Sequence, residues 1–356
     1  MANEGLPELM RPGSGFVVLS IVVASAAAPQ EGPHPFSDAG RWGYLDSEGS
    51  IVIPPRFNQA GWFVGGFAPV RSSSSWFLIG QDGAELPQLS FALRPETPVS
   101  EGLLAAKVDA EAKFGFFSLD GVLRILPRFD DVRPFSEGLA AVKEGGRWFF
   151  IGRDGAQVSP ASYDYAGSFS EGYAVVKVGG KAGFVDHAGN FLAPLRFDDA
   201  RGFSSGVAAV EVAGKWGYLA SNGEMAIEAL FDEARSFSEG LAPVKQGFLW
   251  GYIDRSGRFR LPAKFRLAGS FSCGLAAVED SVVWKTGYVN QKGLFEISPR
   301  FQSGDPFSAD GVARVVLMPR AHDYEAHRNL DWAYINRRGV VIWTNVRGGQ
   351  PTSRRQ

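Results

Sequence analysis

One position returns along this chain at a near-fixed interval. It is occupied by Trp42, Trp76, Phe114, Trp148, Ala182, Trp216, Trp250, Thr286 and Trp332, and five of the eight intervals are 34 residues. The other three, of 38, 36 and 46 residues, are the same unit with insertions, the longest between Met318 and Leu330. A period of this size marks a repeat architecture. So short a unit cannot bury its apolar face alone, and its core must form against its neighbours.

The unit that opens at Phe135 reads "FSEGLAAVKEGGRWFFIGRDGAQVSPASYDYAGS". Its stretches "LAAVKE", "RWFFIG" and "AQVSPA" have strand propensity, and the dipeptides "GG" and "DG" between them supply the positive φ of hairpin turns. Each unit is therefore expected to be a meander of at least three short antiparallel strands. The second turn ends at Gly49, Gly83, Gly121, Gly155, Gly189, Gly223, Gly257, Gly293 and Gly339, as a left-handed hairpin tip would. An aromatic residue closes the third strand, often after a basic one, as in "RF" at Arg56, Arg128 and Arg196. The Gly of the "FSEG" that follows is expected in a backbone conformation closed to other residues.

On these residues the chain resembles the WG-repeat family, whose pattern "WGYID...G...P..F" is legible in "RWGYLDSEGSIVIPPRF" and "KWGYLASNGEMAIEALF". The resemblance covers about 36 to 342. It implies an all-β array of tandem antiparallel meanders and implies little about activity. Residues 36–346 are read as eight to nine such repeats. A propeller-like ring of about eight blades is favoured because closure removes exposed strand edges; an open β-solenoid is the alternative.

Comparing the units with one another separates core from surface. Phe57, Phe91, Phe129, Tyr163, Phe197, Phe231, Phe265 and Phe301 close the third strands, and Phe63, Val99, Phe135, Phe169, Phe203, Phe237, Phe271 and Phe307 open the next units. Such constancy is what a packed interior demands, since truncating a buried Phe costs about 3–5 kcal/mol. The Trp position instead varies to Phe114, Ala182 and Thr286, swings in volume that suggest a sheet face or edge. Trp42, Trp76, Trp148, Trp216, Trp250 and Trp332 are the candidate ligand-binding surface, where flat rings could stack on sugars or peptide side chains. The Gly that follows this position in six of the nine units suggests close backbone approach, and a neighbouring unit is the expected occupant.

Other chemistry is sparse. Lys plus Arg number 36 against 38 Asp plus Glu without long single-sign runs, which argues against a nucleic-acid partner. Cys273 is the one cysteine, so neither an internal disulfide nor a Cys-based zinc cluster can form. No nucleophile elbow, phosphate loop, dinucleotide fingerprint or zinc-protease motif occurs, and no catalytic residue, cofactor or metal is expected. Glu101, Glu137, Glu171 and Glu239 recur at one place in the unit, with Cys273 in the same slot. Recurrence points to hydrogen bonds with backbone amides, or to pairs with the "RF" arginines. The insertion 319–329 brings His322, Asp323, Glu325 and His327 together, but in no established zinc spacing.

At the amino terminus, "FVVLSIVVASAAA" over 16–28 is too short to span a bilayer and has the size of a signal-peptide core, with Ala26 and Ala28 as a cleavage site. Glu4 and Glu8 ahead of it are atypical, and a start at Met10 would restore a positive leader. The expected layout is a signal peptide over 1–28, a linker over 29–35, the array, and a flexible tail over 347–356. These features suggest an extracytoplasmic, periplasmic or secreted protein, cytoplasmic if 1–28 is no signal. It would be a non-catalytic scaffold for a protein or cell-envelope partner. Glycan binding through the Trp ladder is the alternative, and an enzyme built on 319–329 is a third reading.

Overall fold

The computed structural model describes residues 32–91, 98–107, 113–318 and 331–345. The expected export signal, the tail and the insertion with His322, Asp323, Glu325 and His327 lie outside the described residues. The rest is β structure throughout, and among the described residues no helix is long and apolar enough to cross a membrane.

The unit around Trp216 shows the plan. A two-residue strand, Asp199–Ala200, pairs with Val207–Val212, which pairs with Lys215–Ala220, which pairs with Met225–Phe231, all antiparallel. Nine such units follow one another, numbered here by their second strands from unit 1 at Arg41–Leu45 to unit 9 at Trp332–Asn336. In units 7 and 8 the strand Phe259–Ala268 runs on from third strand to short strand, joining the two units in one seven-stranded sheet.

The Gly after Trp has a different occupant from the one expected. A Cβ on Gly217 would lie 2.5 Å from the Ile227 carbonyl oxygen and 2.7 Å from the Ala229 nitrogen, so the unit's own bulged third strand, not a neighbour, presses on it. Where Phe149 replaces this Gly in unit 4, a side chain fills that space. The third strand there is reduced to the bridges Trp148–Tyr163 and Ile151–Gln157. The "SEG" turns are as expected: Glu137 and Gly138 have φ of 55° and 82°, and Ser136 and Leu139 exchange both backbone hydrogen bonds.

The core lies between units. Tyr252, Leu261 and Phe265 of unit 7 pack with Phe271, Ala276 and Val278 of unit 8, and the pattern repeats along the array. The opening residues Phe63, Val99, Phe135, Phe169, Phe203, Phe237, Phe271 and Phe307 are all buried. At seven junctions a buried ring on the second strand meets the next opening ring at 4.8–5.1 Å, as in Phe150–Phe169, Tyr218–Phe237 and Phe184–Phe203; between units 2 and 3 Leu78 and Val99 take these places. Where the ring is a tyrosine its hydroxyl also crosses the junction. Tyr44 donates to Gly61 O at 3.0 Å, Tyr218 to Arg235 O at 2.8 Å, Tyr252 to Gly269 O at 2.7 Å and Tyr288 to Asp305 O at 2.9 Å. Burial pushes the hydroxyls of Tyr218, Tyr252 and Tyr288 well above the usual tyrosine range.

The last unit meets the first through the same contacts. Tyr334 donates to Pro35 O at 2.9 Å, and its ring lies 5.2 Å from His34, a first-strand residue that by register takes the place of Ala208 in unit 6. The tip Gly339 abuts Ile297 of unit 8, and Gly49 in unit 1 abuts Ile342 of unit 9 in the same way. Phe36, Leu45, Val312 and Tyr334 share one cluster across the seam. The array is therefore a closed, propeller-like ring of nine units, not about eight, and not an open solenoid. Its ends do not build a shared blade: among the described residues unit 9 has all four strands, and unit 1 has its own first, second and third.

The seam also contains a titratable pair between a buried and an exposed residue, His34 Nε2 to Asp310 Oδ2 at 2.8 Å. Burial would raise the Asp310 pKa, but hydrogen bonds from His34 and Ser308 outweigh it and hold the carboxyl below its ordinary value. A depressed folded-state value contributes stability that is present above the unfolded value and lost as pH falls through the folded one. Urea midpoints followed by Trp fluorescence should therefore differ between wild type and Asp310→Asn near neutral pH. They should converge below about pH 4. Midpoints that differ equally at every pH would remove the pair from the acid response.

Candidate functional site

Strand direction gives the ring two rims. One carries the "SEG" turns and the Asp-x-x-Gly tips; the other carries the hairpins between first and second strands, with the Trp ladder one residue beyond them. The ladder is more buried than its variation suggested. Trp148, Trp216 and Trp250 are only 4%, 7% and 3% exposed, and Phe114, Ala182 and Thr286 are buried as well. The position is core, and the inference of a sheet face or edge is corrected for these units.

What covers the rings is arginine. Arg133 lies 5.1 Å over Trp148, Arg201 5.1 Å over Trp216 and Arg235 4.7 Å over Trp250. Each Arg stands 15 residues before its Trp, immediately after the short strand. In units 5 and 8, which have Ala182 and Thr286, the same place holds Gly167 and Gly269, so cation and ring are lost together. The guanidinium groups are fixed by the next unit: Arg201 Nε donates to Ala234 O at 3.0 Å and Arg235 Nη1 to Ala268 O at 2.9 Å. Burial first, and then Arg201, depress the Arg235 pKa. Stacking a sugar on Trp148, Trp216 or Trp250 would require displacing these cations.

Trp42, Trp76 and Trp332 are half-buried. They fall in units 1, 2 and 9, on either side of the seam, where Trp332 also packs on Trp343 at 4.6 Å. The structure thus divides the ladder into a capped arc and a more open one.

The hairpin rim is braced by carboxylates. Asp198 accepts from Lys181 at 2.6 Å and from the Ala213 amide at 2.7 Å; Asp232 accepts from Lys215 at 2.5 Å and from the Gly247 amide at 2.6 Å. Asp130 with Lys113 and Asp164 with Arg147 repeat the arrangement. Lys215 first, and then the Gly247 amide, hold Asp232 below the usual carboxylate range. Most hairpins so anchored end in small residues, Ala39-Gly40, Gly145-Gly146, Gly179-Gly180 and Ala213-Gly214. Units 7 and 8 differ. Phe248 is 93% exposed, Val282 83% and Trp284 65%, with Val283 and Leu267 exposed beside them.

These tips are positioned, not slack. Val282 and Val283 donate their amides to Asp280 Oδ1 at 2.9 and 3.0 Å. Trp284 is held at φ +55°, a region costly for a bulky residue, with the Arg266 guanidinium 3.7 Å from its ring. Sequence reasoning missed this patch. Its signal was the replacement of small turn residues by Phe248 and by Val282-Val283-Trp284 in two adjacent units.

The recurring glutamates bond to backbone amides, but of the next unit. Glu101 accepts from the Gly138 amide at 3.1 Å, Glu137 from Gly172 at 3.0 Å, Glu171 from Gly206 at 2.7 Å and Glu239 from Gly274 at 3.0 Å. The "RF" arginines donate elsewhere, Arg56 to the tip carbonyl of Gly83 at 2.8 Å and Arg300 to that of Gly339 at 2.6 Å. Among the described residues no group of three His, Cys, Asp or Glu side chains could hold a metal.

Removing a cap tests the Trp-Arg pairs. Arg235→Gln should red-shift tryptophan emission by wetting Trp250, and should lower stability by about 1–3 kcal/mol, from a desolvated cation-π contact and a hydrogen bond. Unchanged emission and midpoint would show that the guanidinium covers nothing of consequence.

Seven segments, residues 42–76, 114–148, 148–181, 183–216, 216–247, 250–280 and 287–317, match the model of the WG containing repeat. No curated protein matches the chain. Among solved structures it is similar to a eukaryotic initiation factor, at 12% identity over 87% of this chain and 94% of that one, with a TM-score of 0.58, a likeness of fold alone. It is also similar to Hsv2p of Kluyveromyces lactis, at 11% identity over 68% of this chain and 91% of that one, with a TM-score of 0.41. The matched segments take in more than half of the chain, which belongs to the WG containing repeat family.

Proposed function

We propose that this protein is an exported, non-catalytic scaffold that holds a partner protein through the hairpin tips of units 7 and 8. The observation that carries the reading is the exposure of Phe248, Val282 and Trp284 on adjacent hairpins whose counterparts are small. Turn formation does not call for these residues: Gly145-Gly146 makes the same two-residue turn as Gly247-Phe248, and the hairpin of unit 8 is lengthened by the residues that carry Val282 and Trp284. A rigid convex apolar ridge on a soluble surface is a recognition feature, best matched by an apolar groove in a protein. The left-handed φ of Trp284 adds local strain at that point, as functional positions often do. Export rests on the apolar run 16–28 and its A-x-A site.

The test compares wild-type 29–356 with Phe248→Ser/Val282→Ser/Trp284→Ser as bait for a secreted and envelope fraction. A stoichiometric protein retained by the wild type and lost by the folded variant supports the scaffold; equal retention by both overturns it. Mass spectrometry of the exported protein should find Pro29 at the mature amino terminus, and an intact leader would overturn export.

A second reading is favoured by the half-buried arc of the ladder. Trp42, Trp76 and Trp332 offer partly open rings for a cell-envelope glycan. Polysaccharide retained by both baits, without protein, would move the binding surface from the hairpins to these three residues.

A further inference from the structure

The opposite rim carries a second break in the repeat. At the tip of unit 4, Arg153 Nη1 donates to Glu101 O at 2.8 Å and lies 3.4 Å from the Glu101 carboxylate. At the tip of unit 5, His187 Nε2 lies 2.9 Å from the Glu137 carboxylate. Each of these tip side chains reaches the "SEG" turn that precedes the unit before its own. By that spacing Arg337, at the tip of unit 9, faces the turn at Cys273-Gly274, and its Nη2 lies 3.7 Å from where a Gly274 Cβ would stand.

Cys273 occupies the Glu place in that turn, with φ +53° as at Glu137 and Glu239, and its thiol is turned to Ser308 O at 3.2 Å. The carboxylate that the repeat supplies elsewhere is missing. In its place is an open depression of about 440 Å³ lined by Gly274, Leu275, Asn290, Glu296, Arg337 and Arg338. Neither arginine makes an ion pair among the described residues. Glu296, the carboxylate in the lining, accepts from Asn290 Nδ2 at 2.6 Å. Arg255 also faces a turn without Glu, at Ser205, but lies against Gly206 with its guanidinium 6.0 Å from the Phe237 ring.

We propose that the depression at Cys273 accepts the carboxylate side chain of a partner polypeptide, a glutamate or aspartate that takes the place of the repeat's own glutamate against Arg337 and Arg338. A guanidinium pair presents a planar array of donors suited to a carboxylate, and bonds to an ionised acceptor are about twice as strong as neutral ones. The proposal rests on the scaffold reading but concerns the other rim, so that loss of the hairpin interaction leaves this site intact and the two fail separately.

The probe is acetyl-Ser-Glu-Gly-Leu-amide, with acetyl-Ser-Gln-Gly-Leu-amide and succinate as comparisons, titrated into the full chain and read on the arginine Nε–H resonances. The Glu peptide should shift the resonance that Arg337→Lys removes, and the Gln peptide should bind about tenfold more weakly, the effect of losing charge-assisted bonds. Cys273→Glu installs the residue this turn holds elsewhere; it should raise the melting temperature and abolish peptide binding. Arg337→Gln should abolish binding without that gain. Equal binding of the Glu and Gln peptides, undiminished binding to Cys273→Glu, or succinate binding as tightly as the Glu peptide would each overturn the proposal.

Discussion

The fold depends on one contact made again and again, a large buried residue on the second strand, nearly always a ring, set against the opening residue of the next unit. Aromatic pairs of this geometry add about 0.5–1.5 kcal/mol beyond the area they bury. The tyrosine hydroxyl adds a hydrogen bond to a carbonyl across the same junction, so the contact has a fixed direction as well as an apolar surface. Because Leu78 and Val99 serve the junction between units 2 and 3, the position tolerates aliphatic packing, but it tolerates no gap. A unit of this size has no interior of its own, and each ring must belong to two units at once.

Ring closure follows from the same contact and needs no separate device. Tyr334 finds in unit 1 a carbonyl and a ring, as Tyr288 finds them in unit 9, although the ring is His34 and the carbonyl belongs to Pro35. His34, in a first-strand position that Ala208 holds in unit 6, makes the seam chemically different from the other junctions. A phenyl ring offers only packing, whereas His34 also binds Asp310. The junction between the last unit and the first is therefore the one that combines stacking with a polar pair anchored on a buried histidine.

Most of this was legible in the sequence because it is periodic. Phe135, Phe169 and Phe203 recur at fixed spacing, and only a packed interior holds a large residue so constant. The hairpins were readable for the same reason, since a left-handed turn needs Gly138 or Gly146 whatever surrounds it. The Trp ladder was misjudged because its cover lies outside the local pattern. Arg201 and Arg235 sit 15 residues earlier in sequence and are pinned by the following unit, so volume variation at Trp216 or Ala182 is absorbed by a residue that a comparison of that one position does not include. The occupant of the Gly217 space was misassigned for a similar reason: the bulge that brings Ile227 O against it is a property of register, which periodicity alone does not encode.

A repeat built this way leaves its two rims free to diverge, because neither the ring pairs nor the bulged third strands involve hairpin residues. At the hairpins Asp232 or Asp280 fixes the backbone through amide hydrogen bonds, and the side chains beyond are unconstrained by packing. Phe248, Val282 and Trp284 therefore cost the fold little more than their exposure and the local strain at Trp284. At the "SEG" turns the constraint is stronger, since Glu101, Glu137, Glu171 and Glu239 each accept an amide from the next unit, and Cys273 forfeits that bond for a weak one to Ser308 O. A loss of that kind, beside two arginines and an open depression, sets the Cys273 turn apart from an ordinary surface exchange. It gives up an internal carboxylate at the place where the scaffold has cations ready to receive one from outside.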